Sequence, residues 1–302
     1  MFIDIHAHAY RKTPVFGCPF CTAEQLIEEY DKLDIDMGVV QPIVSPEVYS
    51  PQSNEDVLDM AEKYPDRIIP FCNIDPRGGK NSPTTNFTPI LQYYKDRGCK
   101  GIGEVMPKLQ IMDPKVQNLL YHAEKVGLSV TFDGSPQTDR GFGVYDDVNL
   151  PQLEMTLMSF PALIVFGHGP LFWSELARLE TVGERGYIYT FDDRQIGMMG
   201  TGPIKEEGVV PKLMRKFPNL YGDLSDGTPC HMLSRDREFS AKFLTEFQDR
   251  LFFGTDMCFP GMNVPIISFL YEMRDSKMIT NEVFEKISHK NAEKFLGVKV
   301  KK

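Results

Sequence analysis

A chain of 302 residues, 42% hydrophobic and 25% charged, has the length and apolar content to bury one large core. Its formal charge of -9 and pI near 5.3, without clustered Lys or Arg, argue against a nucleic-acid or anionic-membrane surface. No apolar run approaches the roughly 18 residues that span a bilayer, and Asp4 stands where a signal peptide would be apolar. A cytoplasmic protein with its six cysteines reduced is therefore expected.

In chain order, Phe2, Ile3 and Ile5 read as a short buried strand that ends in His6-Ala7-His8. Thr22 then caps a helix whose Leu26, Ile27, Tyr30 and Leu33 share one face. A second strand is predicted over 37–44, a helix over 54–64, a third strand over 67–74 and a helix over 87–97. The fourth strand is 99–105, and Asp113-Pro114 opens a helix carrying Val116, Leu119, Leu120, Ala123 and Val126. Strands follow at 128–133, 162–168, 219–224 and 250–256, with helices near 239–247, 264–274 and 280–296. Tyr64-Pro65-Asp66, Phe160-Pro161-Ala162 and Phe217-Pro218-Asn219 stop a helix and turn the chain into the next strand. This alternation, with no linker or composition break, predicts an α/β fold: a single (β/α)8 TIM barrel forming one domain over 1–302. A doubly wound open sheet is disfavoured because no Gly-x-Gly-x-x-Gly turn follows any strand.

Such barrels carry their chemistry where strands end. Here those positions hold His6 and His8, Glu104, Asp133, His168, Asp223 with Asp226, and Asp256. With a side-chain period of two, His6 and His8 point the same way and can share one divalent ion. Imidazole and carboxylate donors gathered at one end of so many strands mark a site. Cys18-Pro19-Phe20-Cys21 is the conspicuous thiol pair, but it follows the first strand rather than opening a thioredoxin-like helix. No second pair completes a zinc knuckle.

Ile3-Asp4-Ile5-His6-Ala7-His8, Gly101-Ile102-Gly103-Glu104, Val165-Phe166-Gly167-His168-Gly169-Pro170 and Leu251-Phe252-Phe253-Gly254-Thr255-Asp256 together resemble the landmarks of the amidohydrolase superfamily. More narrowly, the chain resembles its amidohydrolase-related branch, which includes aminocarboxymuconate-semialdehyde decarboxylase. The resemblance runs to Asn291-Ala292-Glu293-Lys294-Phe295-Leu296. It implies that His6, His8, Glu104 and Asp256 hold one or two divalent ions, Zn or Mn, and that Asp256 and His168 are catalytic. In this branch the fifth strand usually ends in a metal-binding histidine; Asp133 stands in that place, and an added carboxylate favours a hard ion such as Mn²⁺ or Mg²⁺.

The implied activity is hydrolysis of a small, anionic molecule by water whose pKa the ion lowers from about 16 toward about 7. Non-oxidative decarboxylation of an unsaturated or aromatic acid is the alternative; a non-catalytic ligand-binding barrel is the alternative of another class. Long loops near 9–21, 134–150 and 184–211 are expected to shape substrate choice, with Asp133, Arg194 and His231 as substrate contacts. The expected partner is a small-molecule substrate, not nucleic acid or membrane, and barrels of this kind often pair as homodimers. His122 and His289 read as solvated. Trp173 reads as a helix staple or a pocket wall.

Overall fold

The computed structural model describes residues 1–300 except 49, 136–142, 187, 188, 192, 193, 197 and 198; between 187 and 198 it describes backbone only. The strands in chain order are β1 Phe2–Ala7, β2 Ile35–Val40, β3 Ile68–Pro70, β4 Gly101–Val105, β5 Ser129–Asp133, β6 Val165–His168, β7 Tyr189–Phe191, β8 Arg194–Ile196, β9 Leu220–Asp223 and β10 Leu251–Phe252. All except β7 and β8, which form a separate antiparallel hairpin, pair in parallel.

The parallel strands form two arcs, β1-β2-β3 and β4-β5-β6-β9-β10. Isolated backbone bonds join the arcs at both edges. Cys72 N donates to Gly101 O and Gly103 N to Cys72 O at one seam; Ile5 N donates to Phe253 O, Asp256 N to His6 O and His8 N to Met257 O at the other. The result is the predicted α/β barrel. Asp4 reinforces the second seam: its buried carboxylate accepts from Tyr30 Oη at 2.8 Å and from Thr255 N at 2.9 Å. Gly38 is required beside it, since a Cβ there would stand 2.9 Å from Asp4 Cβ and closer still to the Tyr30 hydroxyl.

Strand alternation sorts the apolar residues. One set faces the outer helices: Phe2, Ile35, Val130, Phe132, Val165 and Leu251 pack in the large cluster with Leu26, Leu91, Leu119 and Met214. The other fills the barrel interior with Ile3, Ile5, Met37, Val39, Ile69, Phe71, Phe166 and Phe252, closed from below by Ala292, Phe295 and Leu296 of the last helix.

The helices expected near 54–64, 114–126 and 264–274 are Asn54–Lys63, Pro114–Val126 and Pro265–Asp275. Helices Pro151–Ser159 and Val209–Lys216 add to the predicted set and end before Pro161 and Pro218, the prolines that stop them. The last helix is divided by a π-turn over Lys286–Lys290. Regular pairing in the third and last barrel strands is shorter than the apolar runs suggested, because the seam bonds are single contacts rather than ladders. Among the described residues no helix is long and apolar enough to cross a membrane.

Candidate metal centre

The interior parity of β1 would place Ile3 and Ile5 inside and His6 outside. A register shift between Asp4 and Ala7 reverses this, so that His6 and then His8 enter the barrel mouth. β4 has the same device: a shift between Ile102 and Val105 lets Gly103 and Glu104 both face inward, across a cis peptide bond between them. β5, β6 and β9 need none, since Asp133, His168 and Asp223 follow the interior residues Thr131, Phe166 and Tyr221 by two.

These turns bring four donors together. His6 Nε2 and His8 Nε2 lie 3.2 Å apart; Glu104 Oε2 is 3.6 Å and 3.3 Å from them, and Asp256 Oδ1 is 3.7 Å and 3.2 Å from them. Ligands roughly 2.0–2.1 Å from a zinc ion in tetrahedral array stand roughly 3.3 Å from one another, so the spacing suits one shared ion.

The outer contacts set the tautomers. His6 Nδ1 is 2.7 Å from Asp223 Oδ2, and His8 Nδ1 is 2.9 Å from the carbonyl of Gln41, which can only accept. Both Nδ1 atoms therefore carry protons, and the neutral rings turn two Nε2 lone pairs toward each other and toward two carboxylates. Such a donor set calls for a cation between its members. Without one, protons take that place: burial opposes it, but Asp256 and Glu104 push His8 up to about 10, and Asp223 and Glu104 raise His6 well above its usual range. The same imidazoles hold Glu104 and Asp223 far below the ordinary carboxylate range despite their burial. The residues present thus fit a divalent ion, and proton or metal are alternative ways of balancing their charge.

A second group adjoins the first. His168 Nε2 lies 3.4 Å from Glu104 Oε1, while its Nδ1 meets Ser225 Oγ at 2.9 Å and Asp223 Oδ2 at 3.4 Å. Burial and His6 pull the His168 ring down, yet Asp223 and Glu104 prevail and leave it at about 10. Asp133 completes the group with Glu104 and His168. Its carboxylate fits because Gly169, at φ 78°, leaves the space that a Cβ only 2.5 Å from Oδ1 would take. Burial, then the nearby Glu104, pushes Asp133 well above the normal range, so the two neighbouring carboxyls are driven in opposite directions.

Of the residues singled out from sequence, His6, His8, Glu104, Asp133, His168 and Asp256 thus meet at one end of the barrel. The Arg194 side chain lies outside the described residues. His231 belongs to none of the donor groups among the described residues; its Nε2 meets the Gly200 carbonyl at 3.1 Å and ties helix Thr228–Ser234 to that loop. Asp226 binds the amide and hydroxyl of Thr228 in the turn that opens the same helix. His122 is not solvated: it is buried and meets Thr88 Oγ1 at 2.7 Å, which a helical-face count could not foresee because the partner lies on the preceding helix. His289 is half-buried and meets Ser288 Oγ at 3.0 Å. Trp173 is fully buried in the large apolar cluster and donates from Nε1 to the Asp223 carbonyl at 2.8 Å.

The sequence named Asp223 as a strand-end acid without giving it a task; its position one strand away from His168 and two from His6 was the available signal. Ser225 and the Gln41 carbonyl carried none. A backbone oxygen has no residue signature.

No family model matches this chain, and no curated protein matches it. Solved structures do. An uncharacterized TIM-barrel protein from Bordetella bronchiseptica superposes with a TM-score of 0.63 at 20% identity, over 98% of each chain. A probable 2-pyrone-4,6-dicarboxylic acid hydrolase from Acinetobacter baumannii, with citric acid bound, gives 0.58 at 17% over 98% of this chain and 99% of its own. A 5-carboxyvanillate decarboxylase from Sphingomonas paucimobilis gives 0.59 at 12% over 99% of each. At such identities the likeness is one of fold: this chain is a TIM barrel with a cluster of potential metal ligands at the mouth.

Proposed function

We propose that this chain is a metal-dependent hydrolase of the amidohydrolase superfamily acting on a small anionic molecule. The observation that carries the reading is the committed tautomer of both histidines: Asp223 and the Gln41 carbonyl occupy the Nδ1 atoms, leaving both Nε2 atoms to face Glu104 and Asp256 at ligand-sharing distances. His6, His8, Glu104 and Asp256 would hold the ion, and the Glu104–Asp133–His168 group would hold a second if two are bound. When bound, the ion would supply the Lewis acidity that makes water a nucleophile near neutral pH.

The chain's own residues do the rest. Asp256, 23% exposed at its side chain against 5% or less for His6, His8 and Glu104, is the donor most open to substrate, and its carboxylate accepts a proton and returns it to the leaving group. His168, held by Ser225 and Asp223, presents Nε2 to an oxyanion or donates a proton there. Arg194, on the 184–211 loop, is the proposed partner for a substrate carboxylate.

The placement of His168, with Nδ1 held by Ser225 and Asp223 and Nε2 turned toward Glu104, also suits a second reading, decarboxylation, in which it delivers a proton to carbon as carbon dioxide leaves. That the fold is shared by a probable hydrolase and a decarboxylase leaves both chemistries open to this scaffold. The test is a screen of small carboxylic esters, lactones, amides and aromatic acids with the chelator-treated protein and after Zn²⁺ or Mn²⁺ is returned. Activity that chelation abolishes and metal restores is expected; turnover indifferent to metal overturns the reading, and carbon dioxide release replaces hydrolysis by decarboxylation.

A further inference from the structure

Cys18-Pro19-Phe20-Cys21 reads as one thiol pair, but the fold separates its members. Cys21 is fully buried and its carbonyl accepts from Tyr10 N at 2.8 Å. The half-buried Cys18 instead packs on the same small apolar cluster as Cys258, two residues beyond Asp256. The two segments are already joined through backbone, since Cys21 N donates to Cys258 O at 2.7 Å. Cys258 Sγ lies 3.8 Å from Asp256 Oδ1. Both cysteines pack against the apolar group of Tyr10, Phe20, Ile43 and Met106, in which the Tyr10 hydroxyl is buried with no hydrogen-bond partner among the described residues. Phe16 and Gly17, immediately before Cys18, are exposed, so a small oxidant reaches this thiol from solvent.

We propose that Cys18 and Cys258 form a redox-modification site, closing into a disulfide that straps the 9–21 loop to the segment after β10 beside Asp256. With a hydroperoxide as oxidant, Cys18 sulfur attacks the O–O bond, giving a sulfenic acid and releasing water or the alcohol. Cys258 sulfur then displaces the sulfenic oxygen, which leaves as water. In sum two thiols lose two electrons and two protons, and hydrogen peroxide becomes two waters. Cys21 takes no part, being shut from solvent.

The site stands whether or not the metal reading holds, and its test uses neither metal nor substrate. The reduced full-length protein is treated with a small excess of hydrogen peroxide, alkylated, digested and mapped by mass spectrometry without reductant. The expected product is a Cys18–Cys258 linked peptide, two hydrogens lighter than its parts and released by dithiothreitol. In Cys258→Ser the link disappears and dimedone traps a sulfenic acid on Cys18. Trypsin cleavage after Arg11 and Lys12, both exposed, is expected to slow severalfold on oxidation of the native chain. A Cys18–Cys21 link, a Cys18 that over-oxidises while Cys258 stays free, or loop cleavage at the same rate before and after peroxide overturns the proposal.

Discussion

The two ends of the barrel interior are built from the same strands and obey opposite rules. Toward the bottom, Phe166, Phe252, Tyr221 and Phe295 pack ring to ring, with centroids 5.1 Å apart for Phe166–Phe252 and 5.2 Å for Phe166–Phe295. Two residues further along β6 and β9, the same face presents His168 and Asp223. The aromatic end draws stability from apolar area removed from water, worth roughly 25 cal/mol per Å². The donor end buries imidazoles and carboxylates that hold one another's charge, an arrangement that costs desolvation and is repaid only by close pairing. A strand of four residues thus passes from a stabilising layer to a chemical one within a single repeat of the pleat, and substitutions at the two ends should separate stability from ion binding.

The largest effect is expected at the aromatic end. Phe166→Ala should cost about 3–5 kcal/mol of unfolding free energy, read from denaturant melts, while the folded variant takes up added Zn²⁺ in the same ratio as the native chain. Loss of metal with unchanged stability would erase the distinction. At the donor end, Asp223→Asn leaves His6 and His168 without their shared carboxylate and should weaken zinc binding by about 10–100-fold in a competition titration, with a smaller change in stability.

A subtler effect sharpens the comparison through pH. His8 is raised from its ordinary value to about 10, so the stability contributed by its protonated, paired form in the metal-free protein is complete below about pH 6.5 and is lost as pH rises through about 10. Zinc requires that proton to leave. The melting-temperature gain from zinc over a chelator control should therefore grow with pH across this window, and calorimetry in buffers of different ionisation enthalpy should register proton release. A gain independent of pH would mean that the imidazoles are not proton carriers in the metal-free state.

Much of this was legible in the sequence because it rests on local rules. The alternation of apolar runs and helical faces gave the barrel, and the donors at strand ends were found by their position alone, before any pair of them was known to touch. What escaped was set by geometry between segments. The bulges that turn His6 and Glu104 inward leave no residue signature in β1 or β4, since a strand of alternating parity reads the same with or without them. The partner of His8 is a carbonyl, that of His122 lies on another helix, and Cys18 shares its apolar cluster with Cys258, 240 residues away, although Cys21 is three. Sequence proximity misdirects when closure of a ring makes the first and last loops neighbours.

The split between the two arcs of the barrel has a mechanical consequence. His6 and His8 belong to the first arc, Glu104 and His168 to the second, and Asp256 lies in the far seam, bonded through its amide to His6, so the donors straddle both joins where pairing is reduced to single backbone bonds. A cation shared among them would act as a rivet through the thinnest places in the wall. Amide hydrogen exchange at Ile5, His8, Cys72 and Gly103 should then slow on zinc addition more than exchange in the middle of either arc, making the rigidity of the cylinder a property of its occupancy.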